Sequence, residues 1–214
     1  MYIIIKSFKM MLLITATSFL FGSSCNKNGS KPCRDAAFSF NVTSEFNPQR
    51  EVYNIGDTIL LTSTFSKNLI NSISNQQVDY SNSLGVGGSF STSILDTAIK
   101  QVQYALDKFT VADLIGSSSQ PQNQNILNAG KNVLFFESIN SYELKIRFIL
   151  KQKGLYMLGM DNLGSQGLRG QDCTNAGFNM TVTNSNKNLH LFQYALGYAP
   201  DAMLAKNIFC FRVQ

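Results

Sequence analysis

The side chains with the most chemistry to offer are four thiols, at Cys25, Cys33, Cys173 and Cys210. A cysteine thiolate is a nucleophile and a metal ligand, and two thiols make a disulfide. The chain has no Cys-x-x-Cys pair and one histidine, His190, so no zinc site is expected. Cys25 differs from the other three in its setting, because it follows Gly22, Ser23 and Ser24 directly. A thiol that is covalently modified leaves the count of cysteines able to pair. Three cysteines then remain, and three cannot all pair. Outside the cytoplasm a disulfide among them is expected. Three pairings are open. Cys173 with Cys210 is the expected pair, because it would tie a C-terminal excursion to the last strand. Cys33 joined to either is the competing arrangement, and three reduced, buried cysteines are the third.

Other groups offer less. Two carboxylates about 5–9 Å apart would support glycoside hydrolysis, but the 13 acids are scattered along the chain. Asp57 sits in a turn, and Glu143 lies on the polar side of an alternating run. Asp161 and Asp172 flank the glycine-rich residues 159–170 and, with Asn162 and Gln171, could offer oxygens to Ca²⁺. That segment lacks EF-hand spacing and is expected to be plain loop. His190 stands between Leu189 and Leu191 with no nucleophile elbow nearby. Gly85-Val86-Gly87-Gly88 lacks the third-glycine spacing of a dinucleotide loop and reads as a turn. No catalytic, cofactor-binding or metal-binding residue is therefore expected, and no cofactor.

The elements that would place Cys25 form a leader. Residues 1–9 carry Lys6 and Lys9 and no acid, and residues 10–21 are an apolar run. A basic start, a short apolar core and small residues make a signal peptide over residues 1–24. The core is shorter than the roughly 20 apolar residues a bilayer span takes. Gly22-Ser23-Ser24-Cys25 resembles a lipobox, with Gly22 where leucine is commonest. Such Ser-Ser-Cys endings resemble those of Bacteroidota lipoproteins. The resemblance implies cleavage before Cys25, acylation of Cys25 and a tether over residues 25–35. It implies the lipid bilayer as a partner and an outer-membrane position. Residues 26–32 contain no acid, which favours a periplasm-facing protein over a surface-exposed one. Asp57-Thr58-Ile59 and Asp96-Thr97-Ala98 resemble the motif that Bacteroidota O-glycosylate, so Thr58 and Thr97 are candidate glycosylation sites.

Without its leader the chain carries 16 Lys and Arg against 13 Asp and Glu, and no basic cluster. Nucleic acid is thus not an expected partner. Strands are expected over 36–42, 49–54, 58–65, 78–80 and 89–94. Residues 96–109 fit helix and strand equally, and 116–125 read as low-complexity loop. Tyr142, Leu144, Ile146, Phe148 and Leu150 alternate with Glu143, Lys145 and Arg147, the pattern of a strand with one core face. Gly154 is expected to return this strand as a hairpin into 155–160. Further strands are expected over 131–137, 176–182 and 207–213. A short helix over 188–196 would be capped by Asn188 and ended by Gly197.

Seven to nine strands with one or two short helices predict a single all-β domain over 36–214, a β-sandwich. The run YNIGDTILL and the later KGLYML resemble Ig-like domains over 36–65 and 132–160. The mature chain also resembles Bacteroidota cell-envelope lipoproteins that join a YNIGDTI segment, a DYSNSLGVGG segment and a terminal CFRV strand. That resemblance carries no activity with it. A non-enzymatic binding or assembly module is the expected function, with an envelope protein or glycan as ligand. Its expected contact loops are 82–88, 116–125 and 162–170, placed together at one end. The alternatives are a carboxylate-dependent glycan hydrolase and a purely structural part of an envelope complex.

Overall fold

The alternating run around Tyr142 is the most ordered signal in the sequence, and the fold is assembled around strands of that kind. A computed structural model describes residues 36–123 and 127–214. The leader, Cys25, Cys33 and the tether lie outside the described residues. The strands are β1 (Phe38–Asn47), β2 (Val52–Tyr53), β3 (Thr58–Ser66), β4 (Asn68–Ile70), β5 (Gln77–Asp79), β6 (Val86–Asp96), β7 (Gln101–Tyr104), β8 (Phe109–Ile115), β9 (Ser117–Ser119), β10 (Gly130–Leu134), β11 (Phe136–Glu137), β12 (Ser141–Leu150), β13 (Gly154–Met160), β14 (Leu163–Ser165), β15 (Ala176–Val182) and β16 (Ile208–Val213). Two short helices, α1 (Leu189–Leu196) and α2 (Ala202–Asn207), precede the last strand. The protein is all-β, as expected. The strands beyond the expected seven to nine are mostly two to four residues long.

Two layers face each other. In the first, β6 is flanked by β13, which pairs in turn with β16, and by β10 and β7 on its other side. β14 joins β6 to β15. The second layer is built on β12, with β3 on one side and β8 and β11 on the other. Strand β1 belongs to both. Phe38–Ser44 run parallel to β15, and Glu45–Asn47 run antiparallel to β3. The core is aromatic and crosses between the layers. Phe90 of β6 meets Phe148 of β12 edge-on at 5.0 Å, and Phe65 of β3 lies 5.8 Å from Phe178 of β15. Each such ring is worth about 1.5–3 kcal/mol in burial alone. A second apolar cluster lies outside the first layer, where Leu191, Phe192, Ala195 and Leu196 of α1 cover Leu95, Leu155, Met157, Ile208 and Cys210.

That helix corrects one expectation. β12 and β13 are consecutive, but they do not pair, and residues 151–153 cross between the layers to Gly154, the first residue of β13, rather than closing a hairpin. β13 is buried at every position after Gly154, because the core covers one face and α1 the other. A strand buried on both faces belongs in the middle of a layer, and β13 lies between β6 and β16. The expected turn at 85–88 is also corrected. Gly85 has φ 79 and ends the loop, but Gly87 and Gly88 lie inside β6. A Cβ on Gly87 would come within 2.5 Å of the Val133 carbonyl oxygen, and one on Gly88 within 2.7 Å of Leu163. These glycines let neighbouring strands close on β6. The helix over Leu189–Leu196 forms and ends at Gly197, but Asn188 does not cap it with its side chain. Asn188 instead takes a left-handed φ of 51 and turns its amide inward to the carbonyls of Arg50 and Cys210.

The tightest approach is at Gly130 of β10, where a Cβ would fall 1.8 Å from the Phe90 carbonyl oxygen. Gly130→Ala is expected to force β10 away from β6 and to cost about 1–3 kcal/mol, the usual penalty of overpacking. Chemical denaturation of the variant beside the parent measures this as a lowered midpoint at unchanged slope.

Candidate functional site

Strand direction gives the sandwich two distinct ends. β1 starts at one of them, the entry end, where the Ala37 N–H donates to the Asn175 carbonyl at 2.9 Å and the Ser72 N–H to the Ser39 carbonyl at 2.7 Å. β12 also starts here, and β6 starts here and runs away from it. Two of the three expected contact loops meet at this end. The Leu84 N–H donates to the Gly167 carbonyl at 2.7 Å and the Arg169 N–H to the Asn82 carbonyl at 3.0 Å. The third loop does not join them. β9 runs antiparallel to β10, so Gln120 is carried toward the far end beside Asp107 and Asn128.

Buried tyrosines hold the entry end together. The Tyr142 hydroxyl donates to the Tyr80 carbonyl at 2.6 Å and lies 3.0 Å from the Ser83 hydroxyl. The Tyr80 hydroxyl donates to the Thr174 carbonyl at 2.9 Å. Lys67 forms an ion pair of 3.4 Å with Glu137, whose carboxylate also accepts the Asn82 N–H at 2.7 Å. Burial raises the pKa of Tyr80 and pushes Tyr142 up to about 12. Around this rigid base stand exposed apolar side chains, among them Ile73, Phe136 and Ile139. They were not anticipated. Their signal was an isoleucine amid turn formers, in NSISN and ESINS, where no periodic face could cover it.

The far end carries α1 and most of the exposed tyrosines. Tyr194 and Tyr198 are 69% and 57% exposed, and Tyr104 of β7 is open as well, whereas Tyr80 is fully buried. Thr97, Gly154, Leu155, Tyr194, Arg212 and Val213 line a groove of about 260 Å³. An aromatic face, a guanidinium and a hydroxyl thus share one shallow concavity. Such a set can stack on a sugar or apolar ring and donate hydrogen bonds to its rim.

Asp161 and Asp201 line another concavity of about 260 Å³ beside α2. Asp201 caps α2 by accepting the Leu204 N–H at 2.8 Å, and Asp161 accepts the Ser89 hydroxyl at 2.5 Å. Asp57 accepts the Asn54 N–H in its turn, and Glu143 accepts the Ser141 hydroxyl. His190 is exposed on α1 and lies 3.4 Å from Glu51. Among the described residues no group of three or more His, Cys, Asp or Glu could hold a metal. Thr58 is half-buried in β3 and Thr97 is exposed in the turn after β6.

The expected Cys173–Cys210 disulfide is not formed. Cys210 is free and wholly buried beneath α1, where burial pushes its thiol up to about 12. Cys173 lies in the entry-end loop before β15 and is disulfide-bonded. Sequence reasoning tied 173 to 210 because it could not see that the side chain of 210 faces a helix.

No protein-family model matches the chain, and no curated protein matches it. Among solved structures it is similar to a type II cohesin domain from the cellulosome of Acetivibrio cellulolyticus, at 6% identity and a TM-score of 0.30, over 66% of this chain and 84% of that one. It is also similar to type II cohesin A11 from Bacteroides cellulosolvens, at 11% identity and a TM-score of 0.26, over 65% and 86%. At these scores the likenesses carry no conclusion about function.

The tyrosine network sets a pH limit. The native state keeps protons on Tyr80 and Tyr142 that an unfolded chain gives up near its ordinary value of 10.0. Stability from these groups is therefore complete below about pH 10 and is lost as the pH rises toward 12. Denaturation midpoints measured from pH 8 upward are expected to begin falling above about pH 9, where Cys210 contributes first, and the further fall above about pH 10 to shrink in Tyr142→Phe.

Proposed function

We propose that the protein is a lipid-anchored module of the cell envelope that binds a glycan and catalyses no reaction. The observation that carries the binding reading is the far-end groove, where Tyr194 stands exposed beside Arg212 and Thr97, with Tyr198 and Tyr104 open nearby. Large aromatic side chains left in water are the common anchors of recognition surfaces. The hydrolase reading has less support, because Asp161 and Asp201 are each held in a structural hydrogen bond.

The anchor rests on the sequence. Lys6 and Lys9, the apolar run and Gly22-Ser23-Ser24-Cys25 support cleavage before Cys25 and acylation of its thiol and amine. The lack of acid in residues 26–32 supports an outer-membrane position facing the periplasm. Among the described residues no helix is long and apolar enough to cross a membrane. Acylation would use up the thiol of Cys25, and with Cys210 free the cysteine count leaves Cys33 for Cys173.

Protein extracted from native membranes is expected to have the mass of residues 25–214 plus acyl chains, and Cys25→Ala to lack them. Non-reducing peptide mapping of the same material is expected to join Cys173 to Cys33. Binding is tested by affinity electrophoresis in gels cast with envelope and plant polysaccharides. Retardation is expected, and Tyr194→Ala is expected to weaken it about tenfold, as for an anchoring aromatic. A clean unacylated mass would remove the anchor. Failure of every polysaccharide to retard the protein would remove the glycan reading.

A further inference from the structure

The entry end gathers apolar side chains that the domain does not use. Ile70 and Ile73 stand on the β4–β5 hairpin, Leu84 on the loop before β6, Phe136 on β11 and Ile139 in the turn before β12. Ile139 and Ile73 are the most open of these, at 87% and 73%. Their loops are joined to one another. The Lys67 N–H donates to the Asn140 carbonyl at 3.1 Å, Asn82 is bound to Glu137, and Ser72 is bound to Ser39 at the start of β1. Exposed apolar side chains on loops that are bonded to one another offer a contact face.

The chain itself points to what covers this face. The described residues begin at Ala36, at this same end, and Cys25 lies eleven residues earlier. Eleven extended residues reach about 36–40 Å at most. β6, with 11 residues, carries the far end about 35 Å further from the anchor. A lipid on Cys25 therefore keeps the entry end within that reach of the bilayer. The charged side chains of this end are Lys67, paired with Glu137, and Asp79, Arg169 and Asp172, which stand exposed.

We propose that the entry end rests on the phospholipid bilayer, with Ile73, Phe136 and Ile139 entering the headgroup region. This inference rests on the lipoprotein reading of Cys25. The contact is apolar, a shallow interfacial insertion rather than an electrostatic one. It turns the tyrosine-lined groove of the far end away from the membrane.

The chain contains no tryptophan, so a single introduced tryptophan reports its own surroundings. Ile73→Trp, Ile139→Trp and the far-end Lys153→Trp are prepared as full-length acylated protein and reconstituted in phosphatidylcholine vesicles, with and without brominated lipid. Emission from Ile73→Trp and Ile139→Trp is expected to shift to the blue and to fall about twofold with brominated lipid, and Lys153→Trp to be unaffected. Raising the salt is expected to change neither result. Adding Ile70→Ser and Ile73→Ser to Ile139→Trp is expected to abolish its quenching, which shows that the native face and not the probe drives insertion. Acylated protein in which Ile139→Trp behaves like Lys153→Trp would overturn this inference and leave the anchor standing. Blue-shifted emission that brominated lipid leaves unquenched would mean that a second copy of the chain covers this end, and would overturn it too. A mass without acyl chains would remove the lipoprotein reading first, and this inference with it.

Discussion

The structure depends on strand β1 serving two layers. Over Phe38–Ser44 it is bonded to β15, and from Glu45 onward to β3. Where it changes partner, the strands part and hydroxyls add to the backbone bonds. The Ser63 hydroxyl donates to the Thr43 carbonyl at 2.6 Å, and the Ser44 carbonyl accepts both the Thr183 N–H at 2.8 Å and the Thr183 hydroxyl at 3.2 Å. The cleft so opened, about 240 Å³, is lined by Thr43, Ser44, Glu45, Thr62, Ser63, Thr64 and Thr183. This accounts for so many hydroxyl residues in strands that otherwise build a core. It also lets one strand bring Phe40 against Phe178 and Phe46 against Phe209, within the main core.

The two layers were not equally legible in the sequence, and the difference is physical. β12 has core on one face and a more polar surface on the other, so its alternation reads directly. β13 and β16 have core on one face and α1 on the other, so they read as unbroken apolar runs that say nothing of their neighbours. The hairpin expected at Gly154 failed for that reason, and so did the pairing of Cys173 with Cys210. Both errors come from the same hidden helix contact. The glycines of β6 misled differently. A glycine needed for close strand approach looks the same in sequence as one needed for a turn, and only the Val133 carbonyl at Gly87 and the Asn162–Leu163 backbone at Gly88 separate the two cases. Of the candidate surfaces, the contact loops were visible in sequence. Their division between ends was not, because that follows from strand direction.

Strand direction also gives the molecule its polarity. β1 must begin at the end where β15 begins, since the two are parallel, and Cys173 lies just before β15 at that end. Chain entry, the disulfide at Cys173 and the tyrosine-braced loops are thus placed together by one parallel pairing. α1 can lie only where the outer face of the first layer is apolar, at Leu95, Leu155 and Met157. Leu95 and Leu155 fall near the end of β6 and the start of β13, which puts the groove beside Tyr194 at the opposite end. A domain entered and braced at one end and open at the other has one surface suited to fixing it and another suited to meeting a ligand. The separation needs no hinge or second domain, because the length of β6 alone keeps the two surfaces apart.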